Sequence, residues 1–394
     1  MKKQMAKLFM ASSLVAGILA GCSGANGASS TGSDNSKSIK IGVNLELSGG
    51  VASYGESLAD GINIAVDEIN KKGGIDGKKI DVVKVDNKSD AAEATNGAIK
   101  LTSQDHVNAI IGAATSGDTV AQAQIANDNK TVLLTPSGTS PNVTVGDNGK
   151  LNDFVFRTSF IDPFQGTVAA NFAAKKLKVK NAAIFADSSS DYAKGLSAAF
   201  KKTFEAAGGK VVTEEAYIAK DTDFRSTLTR IKAKNPEFIF IPGYYEEVGL
   251  IVKQARELGI NVPLMGADGW DSPKLVEIAG AAALNNTFIT NHYSSEDPEK
   301  KIQTFVTTFK DKNKGELPNA FNALGYDTVY LLADAIKRAG STDSTKIKDA
   351  LAETKDLSLV TGIVSIDKNH NPIKSATILE YKNGKQVFKT KINP

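Results

Sequence analysis

Residues 39–70, IKIGVNLELSGGVASYGESLADGINIAVDEIN, change period partway along. Ile39 to Leu45 is a short run rich in β-branched residues and reads as a strand. Past the Ser48-Gly49-Gly50 break, Leu58, Ile62, Ala65, Val66 and Ile69 recur at spacings of three and four, one face of a helix. The alternation continues outward with strand 79–86, helix 91–104, strand 108–111, a helix from about 117 to 129, and strand 131–134. It restarts with a helix over 163–176. Strands at 182–185, 210–217, 238–241 and 262–265 then alternate with helical stretches near 196–203, 224–233 and 248–258. Strands joined through helices of this length need crossover connections, so a mostly parallel sheet covered on both faces is expected, twice over. After about residue 290 come helices near 298–312, 320–339 and 346–352 and weak strands at 362–366, 376–381 and 386–391. Their apolar periodicity is too thin for a third core, and they are expected to complete the two lobes.

The chain has 394 residues and one cysteine. Lys2, Lys3 and Lys7 precede an apolar run from Leu8 to Ala20, too short to span a bilayer and typical of a signal-peptide core. The run ends in Leu19-Ala20-Gly21-Cys22, which resembles the lipobox of bacterial lipoproteins. Residues 1–21 are therefore expected to be a lipoprotein signal peptide and Cys22 the lipidation site. Residues 22–38, rich in Gly, Ser and Asn, are expected to be a flexible tether. With no second cysteine, no internal disulfide is expected and the core alone must hold the fold. About 370 residues after the signal are enough for two domains. Removing the signal takes three lysines from 47 basic residues and none of the 44 acids, so the mature chain is formally neutral. No basic run interleaved with aromatics appears, which argues against a nucleic-acid partner.

Enzyme signatures are missing: there is no G-x-x-x-x-G-K-[S/T] loop, no H-E-x-x-H and no G-x-S-x-G. His106, beside a helix end, and His370, in the turn DKNHNP, are expected at the surface; His292 follows a strand and could stand near a cleft, but has no histidine or cysteine partner nearby. The acid pairs Glu214-Glu215 and Glu246-Glu247 read as exposed faces. Catalysis, a metal and a cofactor are not expected.

Open α/β sheets bind ligands beyond the carboxyl ends of their strands. In the first half those ends run into Gly112-Ala113-Ala114-Thr115-Ser116-Gly117-Asp118-Thr119 and Thr135-Pro136-Ser137-Gly138-Thr139-Ser140. Hydroxyls and free amides at a helix start suit an anion, although Ser116 or Asp118 could equally be caps. In the second half they run into Pro242-Gly243-Tyr244-Tyr245-Glu246 and Gly266-Ala267-Asp268-Gly269-Trp270. An acid between glycine-flanked turns suits an ammonium. An anion site facing a cation site describes a zwitterion, an α-amino acid, with Tyr54, Tyr192 and Trp270 as apolar walls.

These residues carry a resemblance that runs from Ile39 to the C-terminus. IGVNLELSGGVASYGE, AVDEINKKGGIDGKKIDVV, TPSGTSP, DYAKGL, PGYYEEVGLIVKQARELG and MGADGW stand in the order and spacing of the leucine/isoleucine/valine-binding proteins of branched-chain amino acid ABC transporters. The resemblance implies a type I periplasmic-binding-protein fold, two Rossmann-like lobes joined by three hinge crossings near 160, 291 and 375. It implies an N-terminal lobe of 39–160 plus 291–374 and a C-terminal lobe of 161–290 plus 375–394. It further implies that Ser116 and Thr139 bind the α-carboxylate and that Ser137 (through its carbonyl), Tyr244 and Asp268 hold the ammonium. Tyr54, Ala114, Thr115, Tyr192 and Phe321 would border the side-chain pocket. Asp268 stands where the enteric-type pattern has glutamate, Thr115 where cysteine can stand, and Ser137 where alanine is frequent. The shorter acid keeps its charge and moves the ammonium site by roughly one methylene.

The expected function is capture of leucine, isoleucine or valine outside the membrane for an ABC importer whose permease and ATPase are separate chains. An amino-acid sensing receptor, or a binder of another small neutral amino acid or amide, is the alternative. A lipid-anchored monomer on the extracytoplasmic face of a Gram-positive cell membrane is expected.

Overall fold

The computed structural model describes residues 38–393; Cys22, the apolar run before it and most of the linker after it lie outside them. The chain begins β1 (Ser38–Leu45), α1 (Ala52–Lys71), β2 (Lys79–Asp86), α2 (Ala91–Ser103), β3 (Ala109–Gly112), α3 (Ser116–Asp128), β4 (Val132–Thr135) and β5 (Val155–Arg157). It continues α4 (Asp162–Asn171), β6 (Asn181–Asp187), α5 (Asp191–Ala206), β7 (Lys210–Tyr217), α6 (Arg225–Ala233), β8 (Phe238–Phe240), α7 (Tyr245–Glu257), β9 (Leu264–Gly266), α8 (Pro273–Ala279) and β10 (Thr287–Asn291). Then follow α9 (Lys300–Lys312), α10 (Ala320–Ala339), α11 (Ser344–Ala352), β11 (Leu357–Leu359), β12 (Gly362–Ile366), β13 (Pro372–Ile373), β14 (Ala376–Lys382) and β15 (Lys385–Ile392).

The first sheet, β2-β1-β3-β4-β5, is wholly parallel. The second, β15-β14-β10-β9-β8-β6-β7, repeats that order in its parallel part, β7-β6-β8-β9-β10. β14 and β15 extend it antiparallel from β10. Two sheets of one winding order explain why the strand-helix rhythm restarts in the sequence. The chain leaves the first sheet after Arg157, returns to pack beside it after Asn291, and re-enters the second sheet at Ala376. α10 lies against α1 and α11 against α10, so the late helices build onto the first sheet.

Buried β-branched and aliphatic residues fill the strands: Val43, Leu45, Ile111 and Leu134 in the first sheet, Ile239 and Leu264 in the second, all fully enclosed. α10 has the cleanest ends. Asn319 and Asn322 form a reciprocal cap at its start, and Gly340 ends it in the left-handed region at φ +56°. α10 meets α1 backbone to backbone: a Cβ on Gly61 would lie 2.0 Å from the Asn322 carbonyl oxygen, and one on Gly325 2.3 Å from that of Leu58.

Two expectations are corrected. His370 is buried at 7% exposure, its ring stacked 3.8 Å from that of Phe156 and its Nδ1 3.0 Å from the Val155 carbonyl, because the Asp367–Asn371 turn folds back over β5. Glu247 is likewise buried, since it accepts the Lys220 amide at 2.6 Å instead of facing solvent. His106 is exposed.

Candidate functional site

Strand order reverses between β1 and β3 in the first sheet and between β6 and β8 in the second, the places where α/β sheets receive ligands. Ala114, Thr115 and Ser116 follow β3, Ser137 and Thr139 follow β4, Tyr244 follows β8 and Asp268 follows β9. Tyr54, Tyr192 and Phe321 stand in the first turns of α1, α5 and α10. All ten, with Gly269, surround one cavity. Every one of the ten except Tyr244, which is half-buried, is less than one tenth exposed. Trp270 is not among the walls. The short turn Asp268–Trp270 aims Asp268 at the cavity and sends the indole beneath it, where Nε1 donates to the Ile241 carbonyl at 2.9 Å.

One end of the cavity is built from α3. Thr115 is its cap, accepting the Asp118 amide at 3.2 Å, a role the sequence assigns to Ser116 or Asp118. Ser116 Oγ accepts the amides of Thr139 (3.2 Å) and Ser140 (3.1 Å), so its own proton remains to be donated. The loop's amides are less free than expected. Those of Ala114 and Thr115 donate to the Glu46 carboxyl at 2.8 and 2.9 Å. The first-turn amides of Ser116 and Gly117 have no protein partner among the described residues. Two helix-start amides, a hydroxyl and the helix dipole suit a carboxylate. Gly112 lets the loop begin: at φ +151° its α-carbon faces the Asn44 carbonyl, where a Cβ would lie 2.1 Å away. Buried Arg157 straps the neighbouring loop, donating to the carbonyls of Gly138 (2.6 Å) and Ser140 (2.8 Å), and so fixes Ser137 and Thr139.

The other end is Asp268. Its Oδ1 accepts from Tyr192 OH at 2.9 Å and Gln165 Nε2 at 3.0 Å, and its Oδ2 lies 3.0 Å from His292 Nε2. Gln165 is held in turn by Thr290 at 3.1 Å. Burial pushes His292 down to about 4, so the imidazole is neutral near pH 7. None of the three donors to Asp268 is a cation.

Between these ends stand aromatic walls. Tyr54 stacks on Phe321 at 4.4 Å and Tyr244 on Tyr192 at 5.2 Å, with Tyr54 edge-on to Tyr244. The Tyr54 hydroxyl donates to the Gly269 carbonyl, tying α1 to the second sheet. Tyr245 OH to Gly50 O (3.0 Å), Ser53 Oγ to Ser272 Oγ (2.8 Å) and Ala320 N to Asp271 Oδ2 (2.8 Å) join the same two sides.

Asp162, beside Gln165, is pushed up to about 8 by burial, and the charge of Asp268 adds to that; Glu46 is raised to about 8 by burial and then by Asp118. A carboxyl near 4 in the unfolded chain and near 8 when folded stabilises the fold at acid pH, and that stability is lost as pH rises through 8. His292 acts oppositely, but only below about 6.5. The melting temperature should therefore fall between about pH 6.5 and 8.5, and fall less in Asp162→Asn. Equal falls in both proteins, measured by scanning calorimetry, would reject the buried neutral Asp162.

Glu46 and Gln165 shape the site and escape a sequence reading, while His292, read as following a strand near a cleft, gains its role only from Asp268. Of the two that escape, only Glu46 leaves a signal, an acid at the carboxyl end of an apolar strand.

Two duplicated α/β sheets with a closed cleft between their strand ends define a two-lobed binding protein. Residues 38–386 match the periplasmic binding protein family, and the chain belongs to it. It is 30% identical to the leucine-, isoleucine-, valine-, threonine- and alanine-binding protein of Pseudomonas aeruginosa, over 90% of this chain and 92% of that one. Among solved structures it is similar to the leucine-binding protein LivK of Thermotoga maritima. That pair shares 39% identity at a TM-score of 0.85, covering 90% of this chain and 99% of the other. It is also similar to the branched-chain amino acid transporter substrate-binding protein LivJ of Streptococcus pneumoniae, solved with isoleucine. There the identity is 40% and the TM-score 0.85, covering 91% of this chain and all of the other.

Proposed function

We propose that this protein captures a branched-chain amino acid outside the cytoplasm, between two lobes that close on it, and delivers it unaltered to the permease of an ABC importer. The observation that carries the reading is the polarity of one cavity. Ser116 and the first-turn amides of α3 stand at one end, Asp268 with three neutral donors at the other, and stacked aromatics lie between. Ser116 and Thr139 receive the carboxylate, Asp268, Tyr244 and the Ser137 carbonyl the ammonium. Tyr54, Ala114, Thr115, Tyr192 and Phe321 enclose the side chain. The named relatives and the isoleucine in the pneumococcal structure support the ligand class. The three passages between the sheets, near 160, 291 and 375, serve as the hinge.

Thermal shift against all twenty amino acids tests this, since a ligand that binds only the folded state raises the melting temperature with occupancy. Leucine, isoleucine and valine should stabilise most. Acidic and basic amino acids should do little, because the aromatic walls offer a second charge no partner. Glutamate or lysine emerging as the strongest stabiliser would overturn the ligand class, and release of any altered product would overturn simple capture.

We further propose Cys22 as the lipid anchor that holds the protein at the outer face of the cell membrane, on the strength of Leu19-Ala20-Gly21-Cys22. A Cys22→Ala chain should appear in the medium or accumulate unprocessed. Recovery of a mature, acylated N-terminus from that variant would rule the anchor out.

A further inference from the structure

His292 is buried at 3% exposure, directly after β10, where the chain leaves the second sheet for the second of its three passages. Its ring stacks on Phe160 at 3.7 Å, and Phe160 lies in the first passage. Nε2 faces Asp268 Oδ2 at 3.0 Å, while Nδ1 is buried without a hydrogen-bond partner among the described residues. An apolar side chain would fill this space without leaving a ring nitrogen unpaired, so packing alone does not explain an imidazole here. What it supplies is one neutral N–H aimed at one oxygen.

That oxygen matters because of how the carboxylate is shared. Tyr192 and Gln165 occupy Oδ1, and His292 is the only donor on Oδ2 among the described residues. A carboxylate held on both oxygens cannot swing, and its remaining lone pairs face the cavity. A lysine or arginine in the same place would hold it equally well and would neutralise it. Burial keeps His292 uncharged, with Lys374 on the third passage also disfavouring its protonation and Asp268 opposing both.

Resting on the reading that Asp268 receives the ligand's ammonium, we infer that His292 is the positioning residue of that site. It fixes Asp268 Oδ2 without consuming its charge, and it joins the ammonium end of the cavity to the first and second inter-sheet passages through Phe160 and its own backbone.

The test is calorimetric titration with L-leucine of the parent, Asp268→Ala, His292→Leu and His292→Gln, with melting temperatures as the control for folding. Glutamine places a neutral N–H near the position of Nε2; leucine fills space and donates nothing. His292→Leu should weaken leucine binding roughly tenfold to a hundredfold, the scale of one hydrogen bond to a charged group. His292→Gln should recover most of that loss. In the unaltered protein, 15N resonances should show an Nε2-protonated neutral ring whose shift responds to added leucine, a measurement that stands even if a variant fails to fold. A folded His292→Leu protein within threefold of the parent would overturn the inference. So would a glutamine variant as weak as the leucine one, or a ring protonated at Nδ1. If Asp268→Ala itself binds leucine normally, the ammonium site is elsewhere, which is a failure of the underlying reading and is told apart by that variant alone.

Discussion

Asp268→Ala is expected to weaken leucine binding by roughly 30-fold to several-thousand-fold. The cavity walls are buried, so an ammonium bound there gives up its water, and Asp268 is the only acid among the cavity-lining residues. Removing one member of a desolvated, hydrogen-bonded charge pair costs about 2–5 kcal/mol, mostly because the other charge is left unpaired. That range converts to the stated loss. The structure adds a complication: alanine also strips the acceptor from Tyr192, Gln165 and His292 and should lower the melting temperature. Asp268→Asn keeps an acceptor oxygen and removes only the charge, so its loss of affinity should come with a smaller loss of stability. Ser116→Ala should cost less than either, about 0.5–3 kcal/mol, since the carboxylate keeps the first-turn amides. Titration of all three with leucine, with circular dichroism as the control, checks the order. A folded Asp268→Asn protein that matches the parent's affinity would show that Asp268 serves only its own turn.

The second large effect concerns α1 and α10. Gly325→Val should destabilise the protein by about 3 kcal/mol, the upper range for overpacking, because its close approach is to the Leu58 backbone and no rotamer change relieves it. For a chain of this size that is a fall in melting temperature of roughly 4 °C. The damage should reach the cavity as well. Phe321 lies one turn before Gly325 on α10 and stacks on Tyr54 of α1, so prising the helices apart separates two walls. Calorimetry and leucine titration measure the two losses together; a variant with the parent's melting temperature would mean the helices are not held this closely in solution.

The elements easiest to read were those whose pattern is local. β2, β7 and β12 and helix α10 fall on the expected residues, because strand composition or helical spacing runs their full length. β5 was not legible: it is three residues long and one of them is Arg157, whose partners are the carbonyls of Gly138 and Ser140. α8 was hidden by its seven-residue length. In the site, Ala114, Ser116, Ser137, Thr139, Tyr244 and Asp268 could be found from the rule that ligands lie beyond strand ends. Tyr54 and Tyr192 could be found from their places in loops beside strands, and Phe321 came only with the resemblance. Glu46 and Gln165 could not be found, since each is explained by a partner far along the chain: Ala114 is 68 residues from Glu46 and Asp268 103 from Gln165. For His292 the sequence offers a place after a strand and near a cleft, but not its pairing with Asp268, 24 residues away. Burial and long-range pairing turn such residues from surface groups into parts of a site, and neither is written in local spacing.

The indole beneath Asp268 is the sole tryptophan of the chain. Trp270 is fully buried, two residues from Asp268, with its Nε1 on the Ile241 carbonyl and its own carbonyl accepting from Tyr381. All tryptophan emission from this protein therefore originates outside the cavity walls but two residues from Asp268, in a buried setting. The molecule carries its own optical reporter: a shift in that emission follows the turn that bears Asp268, with no dye attached and no second tryptophan to dilute the signal.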